Sequence, residues 1–179
     1  MAWDTAVVFF LNGFLGRSAW GDVVIGFFAV YLSYIAVLWF LWAVSRAGRL
    51  RGERWRVFSG AGAAVLLARG IITPLIRFFI HRPRPFAVLP VRALFFDSSW
   101  SLPSGHAAFF FALAAAVYAY DKKIGTTLFL VSALIGVGRI AAGVHYPTDI
   151  LAGLLVGLAS GYAVVRIPSL RPRGARQRS

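Results

Sequence analysis

Cysteine is absent from the 179 residues, so nothing in the chain speaks for disulfides or for a redox compartment. Acidic side chains are scarce as well, with six Asp and Glu against 19 Lys and Arg. No compact set of oxygen ligands is available for a divalent cation, and neither a metal nor another cofactor is expected. Residues 1–20 lack the basic opening and the convincing cleavage site of a signal peptide. Internal repeats and a second domain are missing too. What the chain has in quantity is apolar: 59% of residues are hydrophobic and the mean hydropathy is +0.74, too high for a soluble domain of this length.

A formal charge of +13 would suit a nucleic-acid binder, but its distribution points elsewhere. Arg46, Arg49, Arg51, Arg54 and Arg56 share one short loop, and Arg166, Arg171, Arg173, Arg176 and Arg178 crowd the C-terminus. Short basic segments beside apolar spans are what cytoplasmic loops carry, so no nucleic-acid partner is expected. Val23 to Ser45 is free of charge and long enough to cross ~30 Å of hydrocarbon at ~1.5 Å per residue. The expectation is an all-α membrane bundle of one domain, residues 1–167, with spans near 22–45, 57–80, 104–120, 124–143 and 147–167. Residues 1–20 read as an interfacial helix, because the apolar run Ala6 to Leu11 is too short to span and Asp4, Asn12 and Arg17 flank it. Residues 168–179 read as a basic cytoplasmic tail.

With the basic loop, Lys122–Lys123 and the tail inside, the N-terminus, loop 81–103 and the turn at 144–147 fall on the outer side. Loop 81–103 nonetheless carries Arg82, Arg84 and Arg92, and anion binding is the evident reason for the exception.

Three polar stretches converge on that side. The first is Arg77-Phe-Phe-Ile-His-Arg-Pro-Arg84-Pro85, in which about two helical turns separate two guanidiniums, and prolines stop the helix and stiffen the loop. Two such groups at different heights grip several oxygens of one phosphate; interfacial snorkelling is the competing reading, above all for Arg82 and Arg92. The second is Pro103-Ser104-Gly105-His106, a helix start whose free N–H groups suit an anion, with a proton donor beside it. In the third, Arg139 lies inside an apolar segment and His145 stands just before Pro147, with Asp149 in the following first helical turn. A carboxylate there reaches back to the imidazole, selecting one tautomer and leaving the opposite nitrogen a lone pair. Capping by Asp149 and simple packing of His145 is the plainer alternative.

Together these stretches resemble the type 2 phosphatidic acid phosphatase superfamily, whose signature is Lys-x6-Arg-Pro, Pro-Ser-Gly-His and Ser-Arg-x5-His-x3-Asp. Here the three parts read Arg77-x6-Arg84-Pro85, Pro103-Ser104-Gly105-His106 and Gly138-Arg139-x5-His145-x3-Asp149, over residues ~57–165. Arginine replaces lysine at 77, and Gly138 replaces serine. The resemblance implies a metal-independent phosphatase in which His145 is the nucleophile, Asp149 orients it and His106 is the general acid. It implies that Arg77, Arg84, Ser104, the Gly105 N–H and Arg139 cradle the phosphoryl group.

The short five-span form with its N-terminal interfacial helix looks like the bacterial undecaprenyl diphosphate phosphatases of that superfamily, acting at the outer face of the plasma membrane. Phosphatidylglycerophosphate, phosphatidate and lipid A phosphatases use the same chemistry and stay open as alternatives. The expected partners are therefore a lipid phosphate and the bilayer; no oligomeric state follows. A transporter is the reading from another class, with Arg69, Arg77 and Arg139 lining an anion path. A non-catalytic lipid-binding module would keep the arginines but has no need of His145 or Asp149. Arg69 belongs to no motif; it either pairs inside the bundle or supports a deeper part of the cavity.

Overall fold

The computed structural model describes residues 2–172, so Arg173, Arg176 and Arg178 of the basic tail lie outside the described residues. Its helices are α1 (Ala2–Asn12), α2 (Ala19–Arg46), α3 (Arg54–Phe79), α4 (Pro85–Val88), α5 (Gly105–Tyr118), α6 (Lys122–Ala141) and α7 (Pro147–Val165), with no strand among the described residues. Four of them, α2, α3, α6 and α7, are long and apolar enough to cross a membrane. Large side chains such as Leu38, Leu66, Leu130 and Leu155 point outward, as an all-α bundle bathed in lipid requires.

α5 is shorter than the 104–120 span expected for it. Ser104 caps it from outside and Asp121 already caps α6, so the chain turns between the two; 14 residues give ~21 Å, less than the hydrocarbon core. Apolar on all sides and with ten of its 14 residues buried, α5 is the helix that the others surround. α7 packs directly on it along Gly153, Gly157 and Gly161. A Cβ at these positions would fall 2.6 Å from Ala107 Cβ, 2.7 Å from the Ala112 nitrogen and 2.6 Å from Ala115 Cβ. Small residues at i, i+4 and i+8 let the two backbones approach where lipid offers no hydrophobic drive. On the opposite flank Phe110, Leu113 and Val117 join Phe40, Val44, Val57 and Leu128 in the largest apolar cluster.

The two ends of the bundle differ. At one end Arg49 pairs with Asp121, and the Tyr120 hydroxyl donates to the Leu170 carbonyl, gathering the basic loop, the α5–α6 turn and the chain after α7. At the other end lie α1, α4, the segment 89–104 and the turn 142–146. α1 is tied there through Asp4, Val8 and Asn12, a buried stripe at helical spacing. Asn12 Nδ2 donates to the Arg92 carbonyl at 2.8 Å and the Ala141 carbonyl at 2.9 Å, while its Oδ1 accepts from the Arg92 N–H at 3.0 Å. Arg92, open to two readings from sequence, thus holds the N-terminal turn, and its Nη1 donates to the Leu15 carbonyl at 3.1 Å.

Two helices contain a wider, π-type turn: Phe27–Tyr31 in α2 and Leu66–Ile72 in α3. Such turns displace backbone carbonyls from the regular ladder and recur at functional sites. Here the first offers the Ala29 carbonyl to Arg139, and the second carries Arg69.

Candidate active site

α6 ends at Ala141, and Gly143, at φ 76°, turns the chain back so that His145 is set just before the Pro147 start of α7. A side chain at 143 would meet the Arg92 carbonyl at 2.3 Å, so the turn is both left-handed and tight. One turn into α7, Asp149 reaches back as the sequence suggests: its Oδ2 lies 3.3 Å from His145 Nδ1 and accepts the Tyr146 N–H at 2.8 Å. Ser101 donates to the same oxygen, and Arg82 Nη1 donates to Oδ1 at 2.7 Å. Asp149 and His145 are both fully buried. With Nδ1–H turned to the carboxylate, the lone pair of the imidazole rests on Nε2. Burial pushes the His145 imidazole down to about 4, with Arg84 and Arg139 adding to the effect and Asp149 opposing it, so the ring is neutral near pH 7.

Nε2 faces Arg84, whose Nη1 lies 3.2 Å away. Every donor of that guanidinium is engaged. Nε gives to the Ser99 carbonyl at 2.9 Å, Nη1 also to the Val144 carbonyl at 2.9 Å, and Nη2 to Asp97 Oδ2 at 2.6 Å and Ser99 Oγ at 3.0 Å. Asp97 and Ser99 form a tight Asx turn, with Ser99 N–H and Oγ donating to Asp97 Oδ1 at 2.9 and 2.7 Å. Burial works against the Asp97 charge, but the bonds from Ser99 and the nearby Arg84 and Arg77 outweigh it, and the carboxyl titrates below the usual range. An internal carboxylate thus occupies the arginine that stands over the histidine.

Arg77 comes to the same region from the end of α3, donating to the Pro103 carbonyl through Nη2 at 2.8 Å and to Ser99 Oγ through Nη1 at 3.0 Å. Ser104 is fully buried at the α5 start, where its Oγ accepts the Ala107 N–H at 3.4 Å. Arg139 donates to the Ala29 carbonyl at 3.3 Å and stacks on Phe95 at 4.6 Å, while its Nε is buried without a partner. His106 and Arg139 line a cavity of about 500 Å³ together with Gly105 and Arg69, its remaining wall mostly apolar apart from Ser33 and Tyr34. His106 lies within electrostatic reach of both His145 and Arg139. The eight residues singled out in sequence therefore gather at one end of the bundle, in one contiguous region. Gly138 is explained by packing: a Cβ there would fall 2.7 Å from the Ala29 nitrogen, so the serine of the signature has no room against α2.

Sequence reasoning missed four partners: Ser101 and Arg82 on Asp149, and Asp97 with Ser99 on the arginines. It also missed Asp4, which accepts from Arg82 Nη2 at 2.6 Å and from the Thr148 N–H at 3.0 Å. Arg82, for which interfacial snorkelling is the competing reading from sequence, is instead a bridge from α1 to Asp149, lying over the Tyr146 ring at 3.9 Å. Ser101 lies two residues before Pro103, outside the three stretches, and only its position against α7 reveals its task.

Residues 60–173 match the family model described as PAP2 superfamily. The chain belongs to the PAP2 superfamily. It is similar to the undecaprenyl-diphosphatase BcrC of Bacillus subtilis, 30% identical over 164 residues, which are 89% of this chain and 81% of that protein. A bacitracin transport permease protein BcrC of Bacillus licheniformis is 35% identical over 83 residues, 45% of this chain and 41% of that relative. The crystal structure of Aquifex aeolicus LpxE superposes with a TM-score of 0.73 at 29% identity, covering 93% of this chain and 96% of that one. As a PAP2 member built of apolar helices, the chain is a multi-pass membrane protein and a hydrolase of phosphate esters or anhydrides. The family match begins at residue 60, so α1 and the whole of α2 lie ahead of it, although Asp4 and Ala29 both bear on the site.

Proposed function

We propose that the protein removes the terminal phosphate of a lipid diphosphate, undecaprenyl diphosphate being the substrate best supported, through a phosphohistidine at His145. The observation that carries this reading is the buried His145 held between Asp149 on Nδ1 and a guanidinium on Nε2. The Nε2 lone pair attacks phosphorus, a nitrogen–phosphorus bond forms, and the bond to the bridging oxygen breaks. The departing electron pair stays on that oxygen, which takes a proton from His106. Asp149 stabilises the positive charge that the imidazole acquires, itself steadied by Arg82, Ser101 and the Tyr146 N–H. Water then attacks the phosphohistidine, His106 now accepting its proton, and inorganic phosphate leaves. Arg77, Arg84, Arg139, Ser104 and the Gly105 N–H hold the three equatorial oxygens.

The substrate assignment is supported by the Bacillus subtilis relative, and the lipid character by an apolar cavity that opens beside His106. The clustering of the basic residues at the far end supports an active site on the outer face of the plasma membrane. Clustering of His106 and His145 with Arg77, Arg84 and Arg139 at one end also speaks against a transport path, whose sites favour the midplane. The test is phosphate release by purified protein across a panel of lipid mono- and diphosphates in the presence of chelator. Release from undecaprenyl diphosphate, lost in His145→Ala, is expected. Activity that disappears in chelator and returns with magnesium would overturn the histidine–arginine mechanism.

A further inference from the structure

Arg69 is a charge inside a membrane span that belongs to no motif. It sits in the π-type turn Leu66–Ile72 of α3, and no carboxylate pairs with it among the described residues. A lone cation at this depth is expensive, and side chains kept there mark a substrate path. Its surroundings specify what the path carries. The guanidinium lies against the first residue of α5: a Cβ on Gly105 would come 2.5 Å from Arg69 Nε, so only glycine permits the contact. Arg69 also forms the shared wall of two cavities. One, of about 500 Å³, holds His106 and Arg139 and is otherwise lined by groups such as Val30 and Phe109. The other, of about 630 Å³, holds Arg77, His81, Asp97 and Trp100.

A second anionic group fits this place. In the reaction proposed above, the phosphorus under attack sits against His145, and the leaving oxygen points to His106. Whatever follows that oxygen in the substrate lies beyond His106, where the cavity that His106 lines with Arg69 and Arg139 offers room. For a lipid monophosphate it is a carbon chain, which gains nothing from a guanidinium. For a diphosphate it is a second phosphate, which carries negative charge and gains more as the bridging bond breaks. Arg69 and the buried Arg139, whose Nε has no partner, both face that cavity.

We infer that Arg69 is a specificity-determining residue that holds the inner, lipid-linked phosphate of a diphosphate substrate. The inference rests on the phosphatase reading and deepens it: the protein prefers lipid diphosphates, and the departing lipid monophosphate is stabilised by Arg69 as it leaves. Arg69 then does for the diphosphate part of what a proton from His106 must do for a monophosphate, whose alkoxide is a far poorer leaving group.

The experiment compares farnesyl diphosphate with farnesyl monophosphate for the parent protein, Arg69→Met, Arg69→Lys and His106→Ala. Methionine keeps the length and apolar stem while removing the charge. The expected loss in kcat/KM for Arg69→Met is about ten- to hundredfold greater on the diphosphate than on the monophosphate, the scale of one charged hydrogen bond. Arg69→Lys recovers part of it, and His106→Ala shows the reverse order, losing more on the monophosphate. Inorganic pyrophosphate is expected to inhibit the parent more strongly than inorganic phosphate, a preference that Arg69→Met abolishes. Equal losses on both lipids, or an unchanged pyrophosphate preference, overturns the role of Arg69 and leaves the phosphatase reading standing. Failure of the parent protein to release phosphate from either lipid overturns that reading and the inference with it.

Discussion

Asp97 Oδ2 lies 2.6 Å from Arg84 Nη2, and the same guanidinium stands 3.2 Å from the lone-pair nitrogen of His145. The carboxylate fills a place that the resemblance assigns to a phosphoryl oxygen. Substrate must therefore exchange with Asp97 and Ser99 for the donors of Arg84, and an exposed loop tip at Ser98 allows them to withdraw. Removing the competitor, as in Asp97→Ala, is expected to strengthen inhibition by inorganic phosphate about five- to tenfold, a fraction of one charged hydrogen bond. An unchanged inhibition constant would show that Arg84 does not take phosphate from Asp97.

Ser101 supports the proposed catalytic pair from a distance, touching Asp149 but not the imidazole. In Ser101→Ala one acceptor position on a buried carboxylate is left empty. The expectation is a loss of about ten- to hundredfold in kcat with KM little changed, since phosphate contacts persist. A rise in KM at constant kcat would assign Ser101 to binding rather than to orientation.

The pH profile follows from His145. Its folded-state pKa is depressed to about 4, so the ring stays neutral, and able to attack, until the pH falls close to that value. Activity as kcat/KM is therefore expected to hold between pH 6.5 and 5 and to fall below that, rather than to decline through the ordinary histidine range. Asp97 is charged throughout this interval, because its carboxyl titrates below the usual range. In the proposed mechanism the two histidines share one phosphate, so the limbs of the profile belong to the pair. An acid limb near 6.5 in the free protein would mean that water reaches His145.

Sidedness is checked by labelling. Ser98 and Ser169 are both exposed and lie toward opposite ends of the bundle. A cysteine at Ser98 is expected to react with a membrane-impermeant thiol reagent in intact cells, and one at Ser169 only after permeabilisation. The opposite pattern would place the site on the cytoplasmic face.

Much of this was legible along the chain, and the reasons for the remainder are physical. Charge-free runs define α2 and α7 by length alone, and the three signature stretches bring His145, Asp149, His106, Arg77, Arg84 and Arg139 to attention through fixed short spacings. The limits of α5 were less visible, because apolar composition continues to Tyr120 while the cap at Asp121 ends the helix earlier. The spacing of Gly153, Gly157 and Gly161 does carry a signal for the α5–α7 contact. Asp97, Ser101 and Asp4 left none: their partners are 13, 48 and 78 residues away along the chain, and pairs made by tertiary structure have no periodicity to read.

The bond between Asp4 and the Thr148 N–H joins residues 144 apart, and it bears on how the protein matures as well as on how it works. A nascent chain emerges from its N-terminus, so α1 is made before α7 and waits for it before Asp4 meets Thr148. Until α7 has entered the bilayer, neither Arg82 nor Asp149 has the contacts that position the imidazole. On the proposed mechanism activity thus arises only after α7 has been made and this long-range contact has closed. A chain that stops short of α7 already carries Arg77, Arg84 and Arg139 but lacks the contacts that would set His145 for attack on surrounding lipids.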